Sequence, residues 1–97
     1  MAAEMVLSED GSLRVEGAIT VHNVVAVVER GNALFARNDL VIDLAQVAEV
    51  DSSAVSMLLE WQREAHRCKR RISFANTPQN LKGLAQLYGV SEMISLV

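Results

Sequence analysis

A short apolar segment followed by a polar helix start constrains this chain more than any other feature. Leu40-Val41-Ile42-Asp43-Leu44 is a nearly continuous apolar run, which is typical of a β-strand covered on both faces. Residues 45–50 are expected to form a loop, and Asp51-Ser52-Ser53 then opens a helix. A strand that leads into a helix indicates an α/β unit, in which parallel strands are joined by right-handed crossovers.

The helix that opens there is predicted to run from about residue 52 to residue 66 or 68. At about 100° per residue, its apolar side chains form one stripe. The predicted stripe is Ala54, Leu58, Gln62 and Ala65, flanked by Val55 and Leu59 on one side and by Met57 and Trp61 on the other. The outward side chains are Ser56, Glu60, Arg63, Glu64 and Arg67. Basic residues near the C-terminal end complement the helix dipole.

The N-terminal segment predicts a hairpin. Residues 5–8 form a short strand, Asp10-Gly11 lies in the turn, and Leu13 and Val15 alternate with polar residues in a second strand. Thr20 is then placed to cap a helix. Its predicted apolar side is Val21, Val24, Val25, Val28 and Phe35, with Glu29 and Arg30 outside. Because valine is a weak helix former, a strand is the alternative for this segment.

The C-terminal third repeats the strand and helix pattern. Residues 71–75 predict a strand. Thr77-Pro78 is a typical helix start, in which the Thr77 hydroxyl caps the helix and proline takes the first helical position. The predicted buried stripe of that helix is Leu81, Leu84, Ala85 and Tyr88, and Lys82 and Leu87 point away from it. Gly89 ends the helix, and residues 90–97 form a last strand or helical turn. The order β-β-α-β-α-β-α-tail predicts one α/β domain over residues 1–97, with a mixed sheet and helices mainly on one face.

Composition and charge narrow the function. The chain has 97 residues, 51% of them hydrophobic, and a net charge of −3, which is typical of a globular domain without the basic surplus of nucleic-acid binders. The basic cluster at residues 67–71 is interpreted as a solvated helix end, with a phosphate-binding patch as the alternative. Cys68 is the single cysteine, the N-terminus lacks a signal-peptide pattern, and the longest apolar run is too short to span a membrane.

The central segment resembles the signature of STAS domains, the anti-sigma-factor antagonists and their relatives. The family pattern is a hydrophobic strand ending in Asp-Leu, a short loop and Asp-Ser-Ser-Gly at a helix start. This chain has Asp43-Leu44, then Val50-Asp51-Ser52-Ser53-Ala54. The resemblance implies the STAS fold and places the family's phosphorylatable hydroxyl at Ser52.

One departure from the pattern points to a subgroup, since Ala54 stands where the family usually has glycine. The segments Ala54-Val55-Ser56-Met57-Leu58-Leu59-Glu60-Trp61 and Leu84-Ala85-Gln86-Leu87-Tyr88-Gly89-Val90 are more similar to the small STAS subunit of the bacterial Mla-type phospholipid ABC transporter. That resemblance implies a freestanding cytoplasmic domain that docks on the ATPase subunit at the inner membrane. It implies a role in outer-membrane lipid asymmetry. The alternative is an anti-sigma-factor antagonist whose complex is broken when a kinase phosphorylates Ser52.

The start and outer side of this helix form the predicted partner-binding surface. A helix N-terminus exposes unpaired N–H groups and positive dipole charge, which can hold a carbonyl or a phosphate. The predicted binding residues are Asp51, Ser52, Ser53, Ser56, Met57, Glu60, Trp61 and Glu64. Two alternatives remain at this stage: Ser52 or Ser53 merely caps the helix, and Met57 and Trp61 are an ordinary core flank.

Catalytic and metal chemistry is expected to be absent. His22 and His66 lack a third ligand at metal spacing. Asp43 and Asp51 are a candidate carboxylate pair for acid–base work, but they lack a plausible base partner, and Cys68 beside Lys69 is interpreted as a packed thiol. No glycine pattern fits a nucleotide fingerprint. We therefore expect no cofactor, no metal and no enzymatic activity.

Overall fold

The computed structural model of the chain describes residues 3–35, 39–90 and 94. Its elements are β1 (Glu4–Leu7), β2 (Ser12–Ile19), α1 (Val24–Phe35), β3 (Leu40–Val50), α2 (Ser52–Arg67), β4 (Ile72–Ala75) and α3 (Gln79–Leu87). This order confirms the predicted β-β-α-β-α-β-α succession. The predicted closing element at residues 90–97 lies, except for Val90 and Ile94, outside the described residues.

The four strands form one mixed sheet in the order β1-β2-β3-β4. β1 and β2 pair antiparallel, whereas β2–β3 and β3–β4 are parallel. The hairpin turn is held by the Asp10 side chain, whose Oδ1 accepts from the backbone N–H of Ser12 at 3.0 Å. Gly11 has a φ of +85°, a backbone conformation that glycine adopts without steric cost. The predicted mixed α/β sheet with an N-terminal hairpin is confirmed.

Only one face of the sheet is buried. Val15, Ile42 and Phe74 on that face are fully buried, and all three helices contribute to the same core. Val41 points to the opposite face and is 46% exposed. The prediction of helices mainly on one face is therefore confirmed. The prediction that β3 is covered on both faces is wrong, because its apolar run includes an outward valine that packs under no helix.

The predicted loop at residues 45–50 is also wrong, because β3 continues to Val50. Its second half pairs in parallel with the end of β2, where Gly17 lies opposite Val47 and Ile19 opposite Val50. The pairing shifts between Arg14 and Glu16 and again between Gly17 and Ala18. These irregularities break the period-2 pattern that marks a strand in sequence.

α1 is a helix, so the alternative of a strand is excluded, but its buried side differs from the predicted one. The side chains that enter the core are Val27 and Phe35, with Gly31 between them, whereas Val21 and Val25 are exposed. The Thr20 hydroxyl accepts from the N–H of His22 at 3.3 Å, in a turn that precedes the helix. The helix thus begins later than predicted, and its apolar valines extend beyond the buried side.

The contact between α1 and α2 is centred on Trp61. Its side chain is fully buried, and Nε1 donates to the backbone carbonyl of Val28 at 3.2 Å. Phe35 packs edge-on against the indole with ring centroids 5.7 Å apart. Gly31 faces the same ring, and a Cβ at that position would lie 2.5 Å from Cε2 of Trp61. The absence of a side chain at Gly31 therefore lets the two helices approach.

Within the described residues, neither end of α3 is capped by the side chain of its cap residue. Pro78 is the N-cap residue and provides no side-chain bond, and Thr77 is buried with a hydroxyl that has no hydrogen-bond partner among the described residues. The prediction that Thr77 caps the helix is therefore wrong. At the other end, the N–H groups of Gly89 and Val90 donate to Gln86 and Ala85, as in a Schellman cap, which confirms Gly89 as the terminator.

The predicted stripe of α3 is confirmed in its first turns and wrong at its end. Leu81 and Ala85 are buried and Leu84 is half-buried, but Tyr88 is 54% exposed. Tyr88 lies at the C-cap, where α3 ends. Within residues 3–35 and 39–90, no helix combines the length and apolar character needed to cross a membrane.

Candidate functional site

The predicted site lies where β3 ends and α2 begins. Asp51 follows β3, Thr20 and Val21 follow the neighbouring parallel strand β2, and Tyr88 reaches the same place from α3. Val21, Asp51 and Tyr88 border an open groove of about 690 Å³. The carboxyl ends of adjacent parallel strands meet at one edge of a sheet, where α/β folds commonly place binding sites.

Asp51 organises this groove. Its Oδ1 accepts from the N–H of Ser53 at 2.9 Å and also from the Ser53 hydroxyl, while Oδ2 accepts from the N–H of Val21 at 3.1 Å. These bonds, the one from the Ser53 side chain first, lower the pKa of Asp51 below its usual range. A charged carboxylate thus caps α2 and ties the turn before α1 to it.

The two serines differ in what their hydroxyls do. Ser53 is half-buried and donates to Asp51, whereas Ser52 is exposed and its hydroxyl makes no hydrogen bond with any described residue. The alternative that Ser52 or Ser53 supplies the cap is wrong, because the cap is Asp51. Ser52 therefore presents an uncommitted hydroxyl at a helix N-terminus, where backbone N–H groups and the dipole favour an acceptor.

The predicted outer face of α2 divides into exposed, paired and buried residues. Ser56 is exposed, and Glu60 forms an ion pair with Arg63. Glu64 accepts from Arg67 Nε at 2.9 Å, and this bond lowers the pKa of Glu64. Both acidic side chains are engaged within the helix.

Met57 and Trp61 are not surface residues. Both side chains are fully buried, Met57 under α1 and Trp61 against Gly31 and Phe35. Their prediction as partner-binding residues is wrong, because α1 packs on that flank of α2 and removes it from solvent. The alternative of a core flank is the correct one.

The groove includes residues that the sequence did not single out for binding. Val21 is 67% exposed, Tyr88 is 54% exposed, and Leu59 and Val90 also line the groove. The signal for Val21 was available, since a residue that directly follows a parallel strand lies at the same edge as Asp51. Nothing in the sequence predicts the exposure of Tyr88, because its helical spacing from Leu81 and Leu84 fits the buried stripe of α3.

The structure does not bring the other candidate groups together. Asp43 lies eight residues before Asp51 on one extended strand, about 26 Å away at 3.3 Å per residue. Its Oδ1 accepts from the N–H of Ala45 and the amide of Asn76. Cys68 contacts Glu64 and Arg67 at the far end of α2. Among the described residues, no group of three or more His, Cys, Asp or Glu side chains is placed to hold a metal ion.

Comparisons with solved structures identify similar folds. The chain matches the unphosphorylated form of the anti-sigma factor antagonist SpoIIAA with a TM-score of 0.73 at 15% identity, covering 99% of this chain and 88% of the other. A putative anti-sigma factor antagonist from Thermotoga maritima matches with a TM-score of 0.75 at 9% identity, covering 97% and 84%. These identities are low, so the likeness is one of fold.

A third neighbour comes from a complex. A chain in the crystal structure of the diguanylate cyclase SiaD with its activator SiaC, from Pseudomonas aeruginosa, matches with a TM-score of 0.60 at 16% identity, covering 98% of this chain and 87% of the other. A search of curated proteins found no significant match. The family model described as "Mlab, STAS domain" matches residues 5–97. The chain therefore belongs to the STAS domain family.

Proposed function

We propose that this domain is a non-catalytic subunit that binds the ATPase subunit of an ABC transporter for phospholipids, and so supports outer-membrane lipid asymmetry. In this proposal the domain is cytoplasmic and is held at the inner membrane only through its partner. The proposal is supported by the matching family model, whose description names Mlab, and by the resemblance of the segments around Ala54 and Tyr88 to that subgroup.

The observation that carries the proposal is the uncommitted Ser52 hydroxyl beside exposed apolar side chains. Val21 and Tyr88 border the same groove, and each keeps more than half of its surface in solvent. Apolar side chains around a hydrogen-bonding group are typical of a protein-docking surface, in which buried apolar contacts supply affinity and polar contacts supply orientation. A partner carbonyl or carboxylate that accepts from Ser52 fits this arrangement.

A negative charge at Ser52 is expected to oppose docking. Phosphorylation adds about −1.5 to −2 charges. The neighbouring Asp51 is ionised at neutral pH, since its hydrogen bonds lower its pKa. In a docked interface the two charges repel each other and lose solvation, which makes Ser52 a candidate switch.

The experiment measures the affinity of the purified domain for the candidate ATPase subunit by calorimetry. We expect Ser52→Ala to weaken binding by about threefold, because one hydrogen bond to the partner is lost, and Ser52→Asp to weaken it by about tenfold or more. Ser73→Asp is the matched control, because Ser73 pairs with Val41 on the outer face of the sheet, away from the groove. The proposal fails if the wild-type domain does not bind, or if Ser52→Asp binds as well as Ser73→Asp.

A second candidate function is that of an anti-sigma-factor antagonist regulated by a serine kinase at Ser52. The neighbours SpoIIAA and the Thermotoga maritima protein favour it, as both are described as antagonists of this kind. Co-purification from the native host separates the two: an ATPase with inner-membrane companions supports the transporter, whereas a serine kinase and an anti-sigma factor support the antagonist. Stoichiometric phosphorylation of Ser52 in host lysate with ATP also favours the antagonist.

A further inference from the structure

A second groove runs between α1 and α2, next to the one at Ser52. Its α1 wall is Val24, Val25 and Val28, the fully buried Met57 lies beneath it, and its volume is about 340 Å³. Ser56 on α2 borders both grooves. The two grooves are therefore adjacent parts of one surface.

The stability of the free domain does not explain why position 25 is a valine. Val25 is 68% exposed on a helix. At an exposed helical position, valine is less favourable than alanine or lysine, because its branched side chain loses rotamer freedom. Val24 and Val28 beside it are only half-buried. When a residue type lowers the stability of the helix that contains it, a functional reason for that residue is expected.

A carboxylate borders each wall of this groove, Glu29 on α1 and Glu60 on α2. Glu60 is paired with Arg63 within α2, so its charge is already balanced. Glu29 forms no ion pair with any described residue. The neighbouring Arg30 lines a different groove, on the β1 side of α1. An apolar strip beside the Glu29 carboxylate is complementary to a segment that carries aliphatic and basic side chains together.

We infer that this α1–α2 groove seats an amphipathic helix of the partner, with aliphatic side chains against Val25 and lysine or arginine side chains near Glu29. A helix is the occupant because the walls are two helices whose backbone groups are already bonded, so that side-chain packing alone holds a third element. The inference rests on the proposed function, since the helix belongs to the same ATPase subunit that covers Ser52.

The first test uses Val25→Lys, whose effects on folding and binding are expected to have opposite signs. The melting temperature of the free domain should stay the same or rise by about 1–3 °C, because lysine is the better helix former. Affinity for the ATPase subunit should fall by about tenfold or more, because a charge enters the apolar strip facing a basic helix. Val25→Glu should weaken binding less than Val25→Lys does.

Matched controls separate local contact from net charge. Val41→Lys makes the same change at another exposed valine, on the outer face of the sheet, and should leave the affinity unchanged. Glu29→Lys should weaken binding and reduce its dependence on salt, whereas Glu9→Lys, in the exposed hairpin turn, should do neither. Equal effects of Val25→Lys and Val41→Lys would overturn the inference.

A photo-crosslinking residue at position 25 identifies the occupant in the complex with the ATPase subunit. Crosslinks to a basic amphipathic helix of that subunit support the inference. Crosslinks to a second copy of the domain, or to a non-helical segment, overturn it. If Ser52→Asp weakens binding while Val25→Lys and Glu29→Lys do not, the groove inference fails and the proposed function stands. If the wild-type domain does not bind the ATPase subunit, both fail.

Discussion

Replacing Gly31 by alanine tests how closely α1 approaches α2. Gly31 faces the indole of Trp61, and an added Cβ would lie 2.5 Å from Cε2 and 2.7 Å from Cζ2. These distances are far shorter than the 3.5–4.0 Å or so at which carbon atoms pack. The indole cannot yield easily, because it is fully buried and bonded through Nε1 to the Val28 carbonyl.

The expected magnitude follows from two opposing effects. Alanine in a helix interior is favoured over glycine by about 1 kcal/mol. Overpacking a core costs about 1–3 kcal/mol, and a displaced Trp61 that leaves its N–H unpaired costs about 1–3 kcal/mol more. We therefore expect Gly31→Ala to lower the free energy of unfolding by about 1–5 kcal/mol, with a central value of about 3 kcal/mol. In a domain of this size the central value corresponds to a fall of roughly 15 °C in the melting temperature.

Gly83→Ala is the matched control. Gly83 also lies inside a helix, α3, but a Cβ there has no neighbour within 4 Å among the described residues. The same substitution should therefore stabilise the domain by about 0.5–1 kcal/mol. Urea unfolding followed by tryptophan fluorescence measures both variants, with Trp61 as the single tryptophan. A stabilised Gly31→Ala variant with an unshifted emission maximum would refute the close approach of the two helices.

The remaining predictions concern the ends and the interior of α2. Trp61→Phe should destabilise the domain by about 2 kcal/mol in urea unfolding, because it removes the hydrogen bond to the Val28 carbonyl and leaves unfilled space in the core. A loss below about 0.5 kcal/mol would contradict the observed packing of Trp61. Lys69→Gly should stabilise the domain by about 0.5–1 kcal/mol, because Lys69 has a φ of 58° in the Schellman cap that ends α2, a left-handed conformation that glycine adopts at lower cost. A loss of stability would count against this conformation of Lys69. The lowered pKa of Asp51 means that its contribution to stability is complete well above the usual value of 3.8 and is lost as the pH falls through the lowered pKa. Asp51→Asn should therefore melt below wild type at pH 7 and converge with it towards pH 2 in thermal scans, and a pH-independent difference would contradict the role of the charge.

Much of the architecture follows from local patterns. The alternation of Leu13 and Val15 predicts a half-buried strand, Asp10-Gly11 predicts the hairpin, and Gly89 predicts the end of α3, and all are confirmed. Each depends on neighbouring residues only: a period of two on a pleated strand, or a backbone angle that glycine adopts without strain. The position of Ser52 at the start of α2 belongs to the same class, because a polar cap before an apolar periodic segment marks a helix N-terminus.

The sequence by itself therefore determined the order of the elements, the mixed sheet and the location of the candidate site. Only the tertiary structure decided which flank of α2 is buried, because the width of a buried stripe depends on the neighbour that packs there. Met57 and Trp61 are core residues since α1 covers them, while Val21, Val25 and Tyr88 remain exposed although they are apolar. An apolar side chain is buried only where another element removes it from water, and that depends on contacts between residues distant in the chain.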